Sequence, residues 1–121
     1  VNTGKNFKVA SNVFIYSPQS LDVGDNCYIG VSSYLGNGEI FLGNNVLIGN
    51  NVSILPSNHT FDNSTGYRFS KPEFKKISIE DNVWICSNCI IVAGVTISKN
   101  SVVTAGTTVL KDNDQNKFIK K

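Results

Sequence analysis

The chain has 121 residues, a formal net charge of +2, three cysteines and a single histidine. That length holds one domain, over residues 1–121, and the scattered basic charge leaves no nucleic-acid footprint. No apolar run approaches the roughly 18 residues of a membrane span, and an odd cysteine count without a secretory leader argues against a disulfide framework. A soluble, cytoplasmic domain with reduced thiols is expected; the first residue is valine, which leaves room for a further N-terminal segment.

Taken from the N-terminus, aliphatic residues fall at Val9, Ile15 and Leu21, after which the phase shifts by two and the segment Ser17-Pro18-Gln19-Ser20 is expected to bulge. A strict six-residue period then runs through Val23, Ile29 and Leu35. After one extra residue it resumes at Leu42, Ile48 and Ile54, and it returns at Ile79, Ile85, Ile91, Ile97, Val103 and Val109. The third residue after each of these is Asn26, Ser32, Gly38, Asn45, Asn51, Ser57, Asn82, Asn88, Gly94, Asn100, Gly106 and Asp112. Most are Asn or Gly, the types that tolerate positive φ, so the backbone is expected to turn once every six residues. A helix needs apolar spacing of about 3.6 and would be weakened by such residues. Hairpin sheets carry turns at less regular spacing. The pattern therefore predicts an all-β parallel β-helix of hexapeptide repeats, three sides to a coil and about five triangular coils, with aliphatic ladders inside the prism.

One interval breaks the period. Between Ile54 and Ile79 about nineteen residues, at about 58–78, are expected to leave the solenoid as one long loop, and long loops in compact repeats are usually functional. It opens with Ser57-Asn58-His59-Thr60-Phe61-Asp62 and carries Tyr67, Arg68, Phe69, Lys71, Phe74, Lys75 and Lys76. The only histidine thus stands at its root. An imidazole titrates in the range needed to take a proton from a hydroxyl, which is a poor nucleophile at neutral pH. Asp62 is either an orienting partner for His59 or a surface charge on the loop, while Asn58, Asp62, Tyr67 and Arg68 are candidate acceptor contacts. A zinc site at Cys86-Ser87-Asn88-Cys89 lacks a second pair or a nearby histidine to complete four ligands, so no metal is expected. One histidine also rules out a three-histidine carbonic anhydrase centre, and no G-x-S-x-G elbow is present for a serine hydrolase.

The units Leu42-Gly43-Asn44-Asn45-Val46-Leu47 and Ile48-Gly49-Asn50-Asn51-Val52-Ser53 resemble the hexapeptide-repeat acyltransferases, the left-handed β-helix superfamily. The histidine before a loop, Ile79-Glu80-Asp81-Asn82-Val83-Trp84-Ile85, Ala93-Gly94-Val95-Thr96-Ile97, and Ala105-Gly106 leading to Lys111-Asp112 are similar to sugar and polysaccharide O-acetyltransferases of the maltose and galactoside type. The resemblance implies the left hand, which opposes the usual right-handed crossover. It also implies acetyl-coenzyme A as donor, His59 as general base, Trp84 and Ser87 lining the coenzyme cleft, Ala105 on the pantetheine arm and Lys111 near the phosphates, with Lys117 as a further phosphate contact. A homotrimer whose loops reach over neighbouring subunits follows from the same resemblance, with a glycan or small-molecule acceptor. Two alternatives share the fold: an N-acetyltransferase acting on an amino sugar, and a catalytically silent β-helical scaffold. The second draws on the shortened C-terminus, where Lys111-Asp112-Asn113-Asp114 runs quickly to Lys117-Phe118-Ile119-Lys120-Lys121.

Overall fold

A computed structural model of the chain describes residues 1–120. Its corners are set by residues that accept positive φ: nine asparagines and Ser32 lie between 53° and 62°, joined by Gly38, Gly94 and Gly106. Asn6 and Asn12 turn in this way too, so the first coil is built like the later ones. Two of the expected corners are not taken. Ser57 is extended where the chain departs into the loop, and at Asp112, where the fifth coil ends, the backbone does not turn through positive φ.

Between corners the chain forms strands of two or three residues. The first coil holds β1 (Asn2–Thr3), β2 (Lys8–Val9) and β3 (Phe14–Ile15), followed by a single 3-10 turn at Pro18–Ser20. The second holds β4 (Leu21–Val23), β5 (Tyr28–Ile29) and β6 (Tyr34–Leu35), and the third β7 (Ile40–Leu42), β8 (Leu47–Ile48) and β9 (Ser53–Leu55). A hairpin of β10 (Ser57–Asn58) and β11 (Glu73–Phe74) then projects as an arm. The fourth coil is β12 (Ile77–Ile79), β13 (Trp84–Ile85) and β14 (Ile90–Val92); the fifth is β15 (Thr96–Ile97), β16 (Val102–Val103) and β17 (Thr108–Val109); β18 (Phe118–Ile119) begins a sixth.

Equivalent strands stack in parallel into three sheets, β1-β4-β7-β12-β15 (face A), β2-β5-β8-β13-β16-β18 (face B) and β3-β6-β9-β14-β17 (face C). The chain is thus an all-β, left-handed parallel β-helix. From the second coil to the fifth, each prism strand points one aliphatic residue inward, and the residue two positions earlier, often a smaller one, is buried as well. Ile48, Ile54, Ile79, Ile85, Ile91 and Ile97 are fully buried, and full burial of such a side chain contributes about 1.5–3 kcal/mol. In the smaller ladder, the Ser33 hydroxyl donates to the Gly49 carbonyl at 2.9 Å and the thiols of Cys27 and Cys89 lie 3.0 and 3.1 Å from the carbonyls of Gly43 and Thr104. Burial pushes both thiols above their ordinary range. Cys86, half-buried, occupies a different position, and all three cysteines are free. Along one corner, Nδ2 of Asn6, Asn26, Asn45 and Asn82 each donates to Oδ1 of the next asparagine up, ending at Asn100.

The register places every irregularity. Successive coils are offset by 20, 19, 37 and 18 residues. The arm accounts for the difference between 37 and 18, or 19 residues, and the smaller surpluses fall between β3 and β4 and between β6 and β7. At the upper end the offset from β16 to β18 is 16. Among the described residues no strand covers β15 there: the backbone N–H of Thr96 donates to Asp112 Oδ1 at 2.7 Å and that of Ser98 to Asn113 Oδ1 at 3.1 Å. Side chains thus take the place of the missing strand. Among the described residues no helix is long and apolar enough to cross a membrane.

Candidate functional site

The arm leaves at Pro56, whose missing N–H unsuits it to continue a central strand. Pro56 is buried, and its carbonyl accepts the Lys75 N–H at 2.8 Å, while the Lys75 carbonyl accepts the Gly94 N–H at 3.0 Å, which ties both ends of the arm to the solenoid. Within the arm Ser57 pairs with Phe74 and Asn58 with Glu73. His59 is the next residue. Beyond it, the Thr60 hydroxyl donates to the Lys71 carbonyl at 2.7 Å and the Ser70 hydroxyl donates to the Thr60 carbonyl. The backbone is therefore fixed on both sides of His59 while the side chain itself is exposed. No hydrogen bond or ion pair among the described residues engages the imidazole, so both ring nitrogens are free for a reactant.

Asp62 does not orient that ring. Its Oδ1 accepts the backbone N–H groups of Ser64 at 2.8 Å and Thr65 at 3.1 Å, and its own backbone N–H and C=O pair with those of Gly66, whose φ of 69° closes the turn. The two N–H donors hold its carboxyl below the usual range. Of the two roles read for Asp62 in the sequence, the local one agrees with these contacts. At the arm tip Tyr67 packs edge-on to Phe61 with ring centres 5.2 Å apart, and Arg68 lies 4.6 Å above the Phe69 ring. Phe61, Tyr67 and Phe69 are all exposed.

Trp84, Ser87 and Ala105 gather elsewhere. Trp84 points outward from face B, half-exposed in a ladder between Leu47 and Val102. Ser87 stands at the following corner, where its hydroxyl accepts the Asn50 N–H at 3.1 Å and its carbonyl accepts the Gly106 N–H at 3.0 Å. That bond sets Ala105 one coil above Ser87, exposed and without a side chain beyond Cβ. Lys111 and Lys117 border one shallow depression at the upper end of the prism. His59 follows the corner between faces C and A, whereas Trp84 lies on face B. Among the described residues no cluster of three or more His, Cys, Asp or Glu groups is placed to hold a metal ion.

Ser17, Asn37 and Glu39, which no motif singles out, line a cavity at the arm root together with Phe74 and Lys76. The two small register shifts were the signal available for them.

The profile of a family described as the hexapeptide repeat of succinyl-transferase matches residues 21–56 and 76–111. The gap between those segments coincides with the arm. No curated protein matches the sequence significantly. Among solved structures, a maltose O-acetyltransferase from Clostridium difficile is 30% identical, with TM-score 0.88 over 95% of this chain and 62% of its own. A hexapeptide-repeat-containing acetyltransferase from Vibrio cholerae is 29% identical, with TM-score 0.85 over 92% and 63%. That enzyme's complex with acetyl-coenzyme A is 30% identical, with TM-score 0.83 over 90% and 60%. The chain thus spans about three fifths of the length of these structures.

Proposed function

We propose that this chain, which belongs to the hexapeptide-repeat acyltransferase superfamily, moves the acetyl group of acetyl-coenzyme A to a hydroxyl of a sugar or polysaccharide. The observation that carries this reading is the acetyl-coenzyme A complex of a structure that matches 90% of this chain. The local geometry agrees with it. Trp84 offers a half-exposed apolar surface, Ala105 leaves room for a slender chain to pass, and Lys111 and Lys117 supply cations at the open end for phosphates.

In the reaction, His59 accepts the acceptor's hydroxyl proton as the oxygen attacks the thioester carbonyl. Backbone N–H groups beside the donor stabilise the tetrahedral oxyanion. The C–S bond then breaks, and the coenzyme thiolate leaves and recovers the proton from the imidazolium. The fixed backbone around His59 supports this role, since a general base must be held within hydrogen-bond reach of the proton it takes. Asn58, beside His59 on β10, and Tyr67 and Arg68 at the arm tip are the acceptor contacts in this reading.

Because His59 and Trp84 lie on different sides of one prism, the site is completed by a second copy, as in a homotrimer whose arms reach across to neighbouring prisms. The outward ladder of Tyr28, Leu47 and Trp84 provides an apolar face for that contact. The test is acetyl transfer to a panel of neutral and acidic glycans, in the wild type and in His59→Ala. Turnover should fall about 10²–10⁴-fold in the variant, with donor binding retained. Donor binding in the wild type with no transfer to any hydroxyl would defeat the assignment.

A further inference from the structure

Nothing in the stacking requires coils longer than the 18 residues separating the fourth from the fifth, yet three consecutive coils exceed that length at the same corner. Their surplus residues touch. The Ser17 hydroxyl donates to Asn37 Oδ1 at 2.9 Å and accepts the Gly38 N–H at 3.2 Å. Gly38, at φ 135°, lies so close to the arm root that a Cβ there would come within 3.0 Å of Pro56 and 3.3 Å of the Phe74 ring. Between these segments opens a cavity of about 310 Å³, bordered by Gln19, Asn37, Glu39, Phe74 and Lys76. Glu39 has no ion partner among the described residues, and Lys76 has none beyond the Phe41 ring, whose centre lies 5.6 Å from its Nζ. Amides, a carboxylate, an ammonium and one aromatic ring around a small concave space are the groups that bind a polar ligand having an apolar face.

Beside this cavity lies a second feature. Tyr16, next to Ser17, meets Phe14 edge-on at 6.2 Å, and Phe14 stacks on Tyr34 at 5.6 Å. Phe14 and Tyr16 are 54% and 55% exposed, although aromatic rings of this size are ordinarily drawn inward. Phe14 lies three residues before Ser17 on the cavity rim, at most about 10 Å along the chain, so the rings stand beside the cavity on face C. A pyranose chain fits both parts, because each unit carries hydroxyls around its edge and a C–H face that stacks on an aromatic ring.

We propose that the corner cavity and the Phe14–Tyr16–Tyr34 rings form a glycan-chain site, one sugar unit seated in the cavity and the next laid against Tyr16 and Phe14. The acceptor is then an oligosaccharide or polymer, and a free sugar fills only part of the site. This rests on the sugar-acceptor reading above and narrows it.

The experiment measures binding and turnover with maltose-series and polyuronate oligosaccharides of increasing length, in the wild type, Tyr16→Ala, Phe14→Ala and His59→Ala. For at least one series, affinity should rise at least tenfold from the monosaccharide to the trisaccharide in the wild type and in His59→Ala. That rise should be lost in the Tyr16 and Phe14 variants, while their KM for a monosaccharide stays unchanged. Chain-length-dependent binding without turnover would uphold the site and sink the transferase reading. Turnover with a KM independent of chain length would do the opposite. Failure of every chain to bind overturns the proposal, as does a changed oligomeric state in the two aromatic variants, which would make these rings a contact between copies.

Discussion

Asn82 offers a quantitative test of what holds the coils in register. Its φ is 58°, its Oδ1 accepts from Asn45 at 3.1 Å, and its Nδ2 donates to Asn100 at 3.0 Å. In Asn82→Ala, a Cβ-bearing residue without a local amide must hold the left-handed conformation at a cost of about 1–2 kcal/mol. Two solvent-exposed hydrogen bonds are also lost, at about 0.5 kcal/mol each, so the variant should be about 2–3 kcal/mol less stable. Asn82→Gly loses the same two bonds but not the steric freedom. Its penalty is the bonds plus about 0.5–1 kcal/mol of chain entropy, leaving it more stable than the alanine variant. Urea denaturation at fixed protein concentration reads both as shifts of midpoint at constant slope. Equal midpoints for Ala and Gly would refute the argument that positive φ at every sixth residue shapes the coil.

Three further outcomes follow from the interior and the arm. Ile85, fully buried and stacked between Ile48 and Val103, should lose about 2–5 kcal/mol on Ile85→Ala, measured by the same denaturation. A thiol reagent near about pH 8 should modify Cys86 first and reach Cys27 and Cys89 only on unfolding, because burial raises all three thiols but Cys86 alone is partly accessible; mass spectrometry assigns the sites. The Asp62 carboxyl is held low by the Ser64 and Thr65 N–H groups, so its support of the turn is present above about pH 4 and lost as acid protonates it. The Ser64 and Thr65 amide resonances should shift across that range in the wild type and not in Asp62→Asn.

The prism was legible in the sequence because each of its determinants is local. An aliphatic residue every sixth position needs only the inward direction of a short strand, and Asn or Gly three residues later needs only the tolerance of positive φ. The same period puts Cys89, two residues before Ile91, inside and Cys86 elsewhere. It failed at Ser57 and Asp112, where the period continues but the chain does not, because Pro56 releases the arm and Asp112 turns its carboxylate onto the Thr96 N–H. The register shifts near Ser17 and before Leu42 were visible as counts. That they stack with the arm root on one corner depends on how many residues complete a coil, and the cavity they enclose follows from that placement. His59 was legible as the one histidine beside the one long insertion. The separation of His59 from Trp84 is contained in the hexad count, three to a coil, once the arm is taken out: Ile54 and Ile79 lie on adjacent sides and Trp84 falls one side further on.

In the proposed reaction the acetyl-transfer site takes His59 from one copy and the Trp84 side from another. Chains bearing His59→Ala and chains bearing Trp84→Ala, each inactive alone, can be co-expressed and their mixed oligomers assayed. Random assembly places both intact residues at about one interface in four, so activity near a quarter of wild type is expected. Mixed oligomers as inactive as either parent would contradict the shared site.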